Sequence, residues 1–339
     1  MLAAVKELVR QWTRRSPYLY EGLVRYRRWK FDFKHKNRSQ VVQHAFGILN
    51  LELTNKCPMR CVMCARTNNM KREQGLMDFE TFKAVIDEYV AANPERAAKE
   101  DTWLHHFGES LVHPDFARFV RYAVDQGVRA CMSINPIMLA PKTADDLLDS
   151  GIHKLYVSLD GHDDESFYKI RGVENAYEKS KSNLLEFLKK KVARGGKPTI
   201  VLSMINFSLN EESIARMKDY WGGVAGIDEY LCKDFVTWNG DAVDVNGLAK
   251  RRVDNAELRK TNRTPACNLP WESVSVTWDG DAVPCCFDYD KKYPLGNVKK
   301  QSLSEIWNGE PMRKLREEFI SNNVTNPLCR DCQYLYPFQ

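Results

Sequence analysis

The 339-residue sequence predicts an α/β fold: a partial parallel barrel of six βα units, then a small cysteine-tied α+β domain. Three observations predict it. Six short β-branched or apolar runs alternate with amphipathic helical stretches, as parallel βα units require. After roughly residue 250 the alternation gives way to a hairpin signal. Of ten cysteines, three fall at 57, 61 and 64 and five at 267, 285, 286, 329 and 332; only Cys131 and Cys232 stand alone.

The strand-like runs are Ile48–Leu53, Thr102–Phe107, Arg129–Ile134, Lys154–Leu159, Thr199–Ile205 and Glu229–Phe235. Between them, helical periodicity marks Phe79–Ala91, Asp115–Gln126, Thr143–Ser150 and Asn175–Arg194. Glu80–Lys83 and Asp115–Arg118 fit charge pairs at helical spacing. Six such units make a partial (β/α)6 TIM-like barrel, whose working face is the carboxyl end of its strands. Past residue 250, Ser273–Trp278 and Asp281–Cys286 flank Asp279-Gly280, a tight-turn pair that reads as a hairpin. One helix is expected next, capped by Ser302 or Ser304, with Leu303, Ile306, Trp307 and Leu315 on its apolar face. The divisions expected are a basic helical arm over 1–45, the barrel over 46–250, and a second domain over 251–339 that does not continue the barrel.

Composition narrows the classes. The chain is 43% hydrophobic and 28% charged, as ordinary globular domains are. No apolar run reaches the ~18 residues of a spanning helix. Lys6, Glu7 and Arg10 interrupt the N-terminal apolar stretch, so it does not read as a signal peptide, and a cytoplasmic location is the expectation. Cysteines in a large chain without an export signal favour metal binding or catalysis over disulfides. Residues 1–40 hold eleven Lys or Arg against three acids. Such an arm suits a solvated helix pair, or contact with a phosphate-bearing substrate, an anionic membrane surface or an acidic partner. With no aromatic-and-basic module, nucleic-acid binding is not expected.

Leu51–Ala65 reads LELTNKCPMRCVMCA, a CxxxCxxC spacing directly after a strand. Three thiolates on one loop can hold three irons of a 4Fe–4S cluster and leave the fourth open. A zinc site would need a fourth nearby ligand, and none follows in the loop. The motif resembles that of the radical S-adenosylmethionine (SAM) superfamily. The resemblance implies that Cys57, Cys61 and Cys64 bind a cluster on which SAM is chelated and reductively cleaved. It extends along the chain. Gly108-Glu109 in LHHFGESLVHPDF resembles the family's Gly-Gly-Glu motif, with Phe107 replacing the first glycine. Ser133 or Asn135 in CMSINP, and Ser158 and Asp160 in LYVSLDG, fall where ribose contacts are expected. Arg171 in Ile170-Arg171-Gly172 is placed to pair with the methionyl carboxylate. Met63, inside the cysteine motif, joins this cofactor-contacting set.

Cys267, Gly280 and Cys285 form CX12GX4C, and Cys329 and Cys332 add a later CxxC. The four thiolates suffice to close an iron–sulfur cluster or a zinc ribbon. The pattern resembles the SPASM/Twitch domains of radical enzymes. The chain ends seven residues beyond Cys332, which argues for the shorter Twitch form with a single auxiliary 4Fe–4S cluster. Cys286 is the spare, read as a packing residue before a fallback ligand.

For activity, the resemblance implies hydrogen abstraction from a carbohydrate-like alcohol, such as an aminocyclitol or a nucleotide- or lipid-linked sugar. Dehydrogenation or epimerisation would follow, as in 2-deoxy-scyllo-inosamine dehydrogenase-type enzymes. A flavodoxin- or ferredoxin-type donor would supply the electron. A peptide-modifying enzyme is the second reading, lowered because the first 45 residues are short for a leader-binding domain; a zinc-holding scaffold is the third. Cys131 or Cys232 is the candidate hydrogen donor, although a buried, inert thiol is the commoner case. His105 or His106 is the candidate base, and strand alternation lets at most one face the barrel.

Overall fold

The computed structural model describes residues 22, 25–26, 29–30, 33, 37–238 (backbone alone at 218), 247–248, 266–332 and 334–335. Most of the basic arm and the expected boundary near residue 250 therefore lie outside the described residues.

Six strands run parallel: β1 (Gly47–Leu51), β2 (Thr102–Trp103), β3 (Ala130–Ile134), β4 (Lys154–Ser158), β5 (Thr199–Asn206) and β6 (Glu229–Asp234). Parallel neighbours need crossover connections, and helices supply them. Among these are α1 (Phe79–Ala92), α2 (Phe116–Asp125), α3 (Pro141–Asp149), α4 (Asp164–Arg171) and α5 (Tyr177–Ala193). Their apolar faces cover the outside of the sheet. Phe82, Val85, Ile86 and Tyr89 do so from α1, and Leu184, Phe187 and Leu188 from α5. On β4 and β5 the outward residues Leu155, Val157, Ile200 and Leu202 are fully buried beneath them. The opposite parity of β3, β4 and β5 carries Ser133, Ser158 and Ser203 into the barrel.

Two charge pairs form differently from expectation. Lys83 pairs with Asp87 on the next turn, and Arg118 stacks over the Phe79 ring at 3.6 Å.

The C-terminal segment is joined to the barrel more closely than the sequence suggests. β7 (Ser273–Val276) pairs parallel with β1, so one nine-stranded sheet runs β6-β5-β4-β3-β2-β1-β7-β8-β9. The expected hairpin is present as β7 antiparallel to β8 (Asp281–Val283), and β9 (Gly296–Asn297) adds to its edge. Gly280 turns it at φ +90°. Ser302 is the cap, in a reciprocal arrangement with Glu305. The single helix expected there is two: α6 (Leu303–Trp307) and α7 (Glu310–Ile320). Gly309 and Pro311 divide them, since proline at the start of α7 cannot continue α6.

Candidate functional site

The first cysteine loop is pinned by three buried polar residues at the carboxyl end of β1: Glu52, Thr54 and Asn55. Glu52 takes a two-pronged contact from the Arg72 guanidinium at 2.6 and 2.7 Å and accepts the backbone N–H of Phe107 and of Trp278, each at 3.2 Å. Asn55 donates to the Glu73 carbonyl at 2.8 Å and accepts from the Gly75 N–H at 3.0 Å. Farther on, the N–H groups of Arg60 and Val62 donate to the carbonyls of Arg171 and Ile170 at the end of α4, both at 3.0 Å. That approach needs Gly172: it has φ +68°, and a Cβ there would lie 2.5 Å from the Arg60 carbonyl oxygen. Held this way, Cys57, Cys61 and Cys64 all border a cavity of about 550 Å³ at the carboxyl ends of the strands.

The other walls mix apolar side chains, among them Phe107, Ile134, Phe235 and Trp238, with a set of polar groups. Glu109 is 3% exposed; its carboxylate accepts the Asn135 N–H at 2.7 Å and the Leu111 N–H at 3.2 Å. Burial pushes this carboxyl up to about 7. Gly108 brings it there at φ +98°, where a Cβ would sit 2.4 Å from the Thr54 carbonyl oxygen. Asn135 spends its Oδ1 on the Ile137 N–H at 3.0 Å and keeps a buried Nδ2 without a partner. Ser133 Oγ lies 3.3 Å from Ser158 Oγ, and Ser158 is the register partner of Ser203. Arg171 donates to Cys61 Sγ at 3.6 Å and pairs with Asp160.

Met63, Gly108, Glu109, Ser133, Asn135, Ser158 and Arg171 thus meet the three cysteines around one cavity. Asp160 does not line it. It is buried beneath, bound to Arg171 and accepting from Ile205 N–H and Asn210 Nδ2, both at 2.8 Å, which makes it the anchor of Arg171. Cys131 shares the inward parity of Ser133 but lies deeper, fully buried, its thiol directed at the Thr102 carbonyl at 3.5 Å. Cys232 is exposed, while its neighbour Lys233 faces the cavity. Neither thiol borders the cavity, so the structure does not bring either candidate hydrogen donor to the other site residues.

Both His105 and His106 line the cavity, against the expectation of one. The alternation rule fails because β2 stops at Trp103; beyond it, Asn50 Nδ2 takes the His105 carbonyl at 2.6 Å and Glu52 takes the Phe107 N–H. Burial keeps both imidazoles neutral, lowering His105 to about 3 and His106 to about 4. His106 Nε2 is engaged with the Cys286 carbonyl at 3.0 Å, and among the described residues Nδ1 of both rings lacks a hydrogen-bond partner.

Sequence reading missed Ser203, Lys233, Trp238 and Tyr334, which also line the cavity. Strand parity would have found the first two, given the inward register. Trp238 and Tyr334 follow irregular segments and carried no signal.

A second cavity, of about 490 Å³, is bordered by Cys267, Cys285, Cys286, Cys329 and Cys332. The hairpin supplies Cys285 and Cys286. An Asn326 turn, whose Oδ1 accepts the Cys329 N–H at 2.9 Å, presents the CxxC. Cys286 lines the cavity beside the four expected thiols. Its carbonyl also reaches His106, and Tyr334 borders both cavities.

Among the described residues, no three His, Cys, Asp or Glu side chains converge as a single metal ion requires. The thiols instead border two cavities. Burial raises Cys57 to about 12 and Cys332 to about 12, so these thiols lose their protons only on binding metal. The donor sets fit iron–sulfur clusters.

The radical SAM superfamily model matches residues 51–220. The chain belongs to the radical SAM superfamily. A second model, the SPASM iron–sulfur cluster-binding domain, matches residues 267–333. This radical SAM enzyme therefore works with SAM, a 4Fe–4S cluster and auxiliary iron–sulfur binding in the C-terminal domain. It is 26% identical to the tungsten-containing aldehyde ferredoxin oxidoreductase cofactor-modifying protein of Pyrococcus furiosus, over 84% of this chain and 86% of that one. It is 23% identical to the PqqA peptide cyclase of Gluconobacter oxydans (83% and 81% covered) and 22% identical to the SAM-dependent 2-deoxy-scyllo-inosamine dehydrogenase of Niallia circulans (85% and 92%). The crystal structure of BtrN in complex with AdoMet and 2-DOIA shares its fold, with TM-score 0.55 at 17% identity, covering 86% of this chain and 94% of that one. No described helix is long and apolar enough to cross a membrane.

Proposed function

We propose that this radical SAM enzyme dehydrogenates a carbohydrate-like alcohol held in the barrel cavity. The observation that carries the reading is one chamber, bordered by Cys57, Cys61 and Cys64 and by the hydroxyls of Ser133, Ser158 and Ser203, that shares the Tyr334 wall with the second thiol-lined cavity. When bound, the clusters and SAM supply radical cleavage of the sulfonium, removal of a hydrogen atom from the substrate carbon, and acceptance of the remaining electron. The chain's own residues do the rest. Glu109, Asn135 and Arg171 line the chamber beside the cysteine loop and orient the SAM amino acid and ribose groups. The serine layer offers hydroxyls to a polyol. His105, neutral and with an unpartnered Nδ1, accepts the hydroxyl proton as the carbonyl forms. A thiol-dependent epimerisation is disfavoured, since neither Cys131 nor Cys232 borders the chamber.

The test is turnover of the anaerobically reconstituted protein with candidate polyols in deuterated solvent. Dehydrogenation gives 5′-deoxyadenosine in step with a carbonyl product and no carbon-bound deuterium. Deuterium at carbon with no change in oxidation level would overturn it in favour of epimerisation. The Gluconobacter relative supports a second reading, a peptide substrate, which predicts 5′-deoxyadenosine formation stimulated by peptides and not by polyols.

A further inference from the structure

Lys233 is a cation set in the chamber with no ion-pair partner among the described residues. It lies on β6, at the far end of the six-strand array from β1 and its cysteine loop. It lines the same cavity as Ser158, Ser203 and His105. Among the described residues its ammonium has no carboxylate within ion-pair distance. Asp234 borders the same cavity and Asp160 attracts the ammonium from a distance, but neither pairs with it. Glu229 pairs with Lys154 at 3.4 Å, Asp234 accepts from Asn206 Nδ2 at 3.4 Å, and Asp160 is bound to Arg171. What Lys233 does have is the Tyr156 ring, 4.9 Å below its Nζ. A ring face favours the charged ammonium but leaves its N–H donors for something else. A cation held in a desolvated place without a partner is costly unless a ligand brings the anion.

We propose that Lys233 binds an anionic group of the substrate, a phosphate ester, a diphosphate or a carboxylate, and thereby selects acidic sugars over neutral or aminated ones. The inference rests on the chamber being the substrate site. It chooses within the carbohydrate reading: an aminocyclitol ammonium would face Lys233 as a like charge, whereas a nucleotide-linked, lipid-linked or simple sugar phosphate would complete it. The Ser133, Ser158 and Ser203 hydroxyls are then left for the neutral end of the molecule. Burial lowers the Lys233 ammonium from its ordinary value, in keeping with a site that awaits its anion.

The probe is radiolabelled pyrophosphate, in equilibrium dialysis against the anaerobically reconstituted, SAM-loaded protein. One saturable site is expected. Lys233→Gln should weaken it about tenfold or more and Lys233→Arg should retain it, since a charge-assisted bond is lost in the first and kept in the second. Iron and sulfide content reports whether each variant has folded. In the unmodified protein, where no variant can misfold, glucose 6-phosphate should displace the probe while glucose and streptamine should not. Displacement by glucuronate assigns a carboxylate, and by UDP-glucose a diphosphate. Absent saturable binding, equal binding by Lys233→Gln, or equal displacement by glucose overturns the proposal. A Lys233-dependent site in a protein that forms no 5′-deoxyadenosine would instead leave this inference standing and remove the reading beneath it.

Discussion

The two thiol-lined cavities are of similar size, about 550 and about 490 Å³, but their walls differ. Around the first, three cysteines are joined by hydroxyl, imidazole, carboxyl, guanidinium and ammonium groups, set among apolar side chains such as Phe107, Ile134, Phe235 and Trp238. Around the second, five cysteines face Leu269, Pro270, Leu315, Phe319 and Leu328. A site with fewer protein ligands than its metal needs, and with polar side chains opposite, is built to admit another molecule. A site with enough thiols and an apolar shell is built to keep solvent away and fix a redox centre. On the proposed dehydrogenase reading, the contrast separates an initiating end from an electron-holding end.

The largest expected effect breaks one end and spares the other. Replacing Cys57, Cys61 and Cys64 together with Ala should abolish 5′-deoxyadenosine formation under dithionite, while iron and sulfide remain at the level of the C-terminal site. Retained deoxyadenosine would mean that the open site had been misplaced. The next effect concerns the wall between the cavities. Phe107, 3% exposed, has ring centroids of Trp238 and Tyr289 at 5.1 and 6.0 Å, and Trp238 reaches Phe287 of the hairpin segment at 5.8 Å. Phe107→Ala should cost about 3–5 kcal/mol by opening a hole in that wall. Chemical denaturation of the reconstituted protein measures it. A loss below about 0.5 kcal/mol, the scale of an ordinary surface change, would show that the two ends do not depend on this packing.

The first cysteine motif could be read without structure because its ligands are local in sequence. Spacing alone put Cys57, Cys61 and Cys64 on one loop after a strand. The barrel strands were legible for a related reason, since burial on the outer face forces apolar residues at every second position of β4 and β5. Residues whose roles depend on distant partners were not. Asp160 reads as a cavity residue from its motif, yet Arg171, Asn210 and the Ile205 N–H turn it inward. His105 and His106 read as an alternating pair, but strand geometry ends at Trp103 because side chains of β1 and its following loop take over the backbone groups beyond it. The parallel pairing of β7 with β1 joins residues more than 200 positions apart. Periodicity within a segment carries no information about which edge that segment will meet.

The smallest effect expected tests whether the polar cavity is as desolvated as the apolar one. His105 sits near His106 and Lys233, and burial, with the charge of those neighbours, lowers it to about 3. In the unfolded chain the same imidazole titrates near about 6.5. Between these values the unfolded state binds the extra proton, so folding stability rises with pH across this window and is lost as pH falls below 6.5. His105→Gln removes that difference while His106, lowered to about 4 by its own burial, retains its share. Near pH 5, the pH slope of unfolding free energy should therefore shrink by about one proton in the variant. Thermal or denaturant unfolding between pH 5 and 6.5 reads this directly. An unchanged slope would place a hydrated, chargeable imidazole beside Lys233, and the first cavity would then be an open cleft lacking the dry chamber that a neutral base requires.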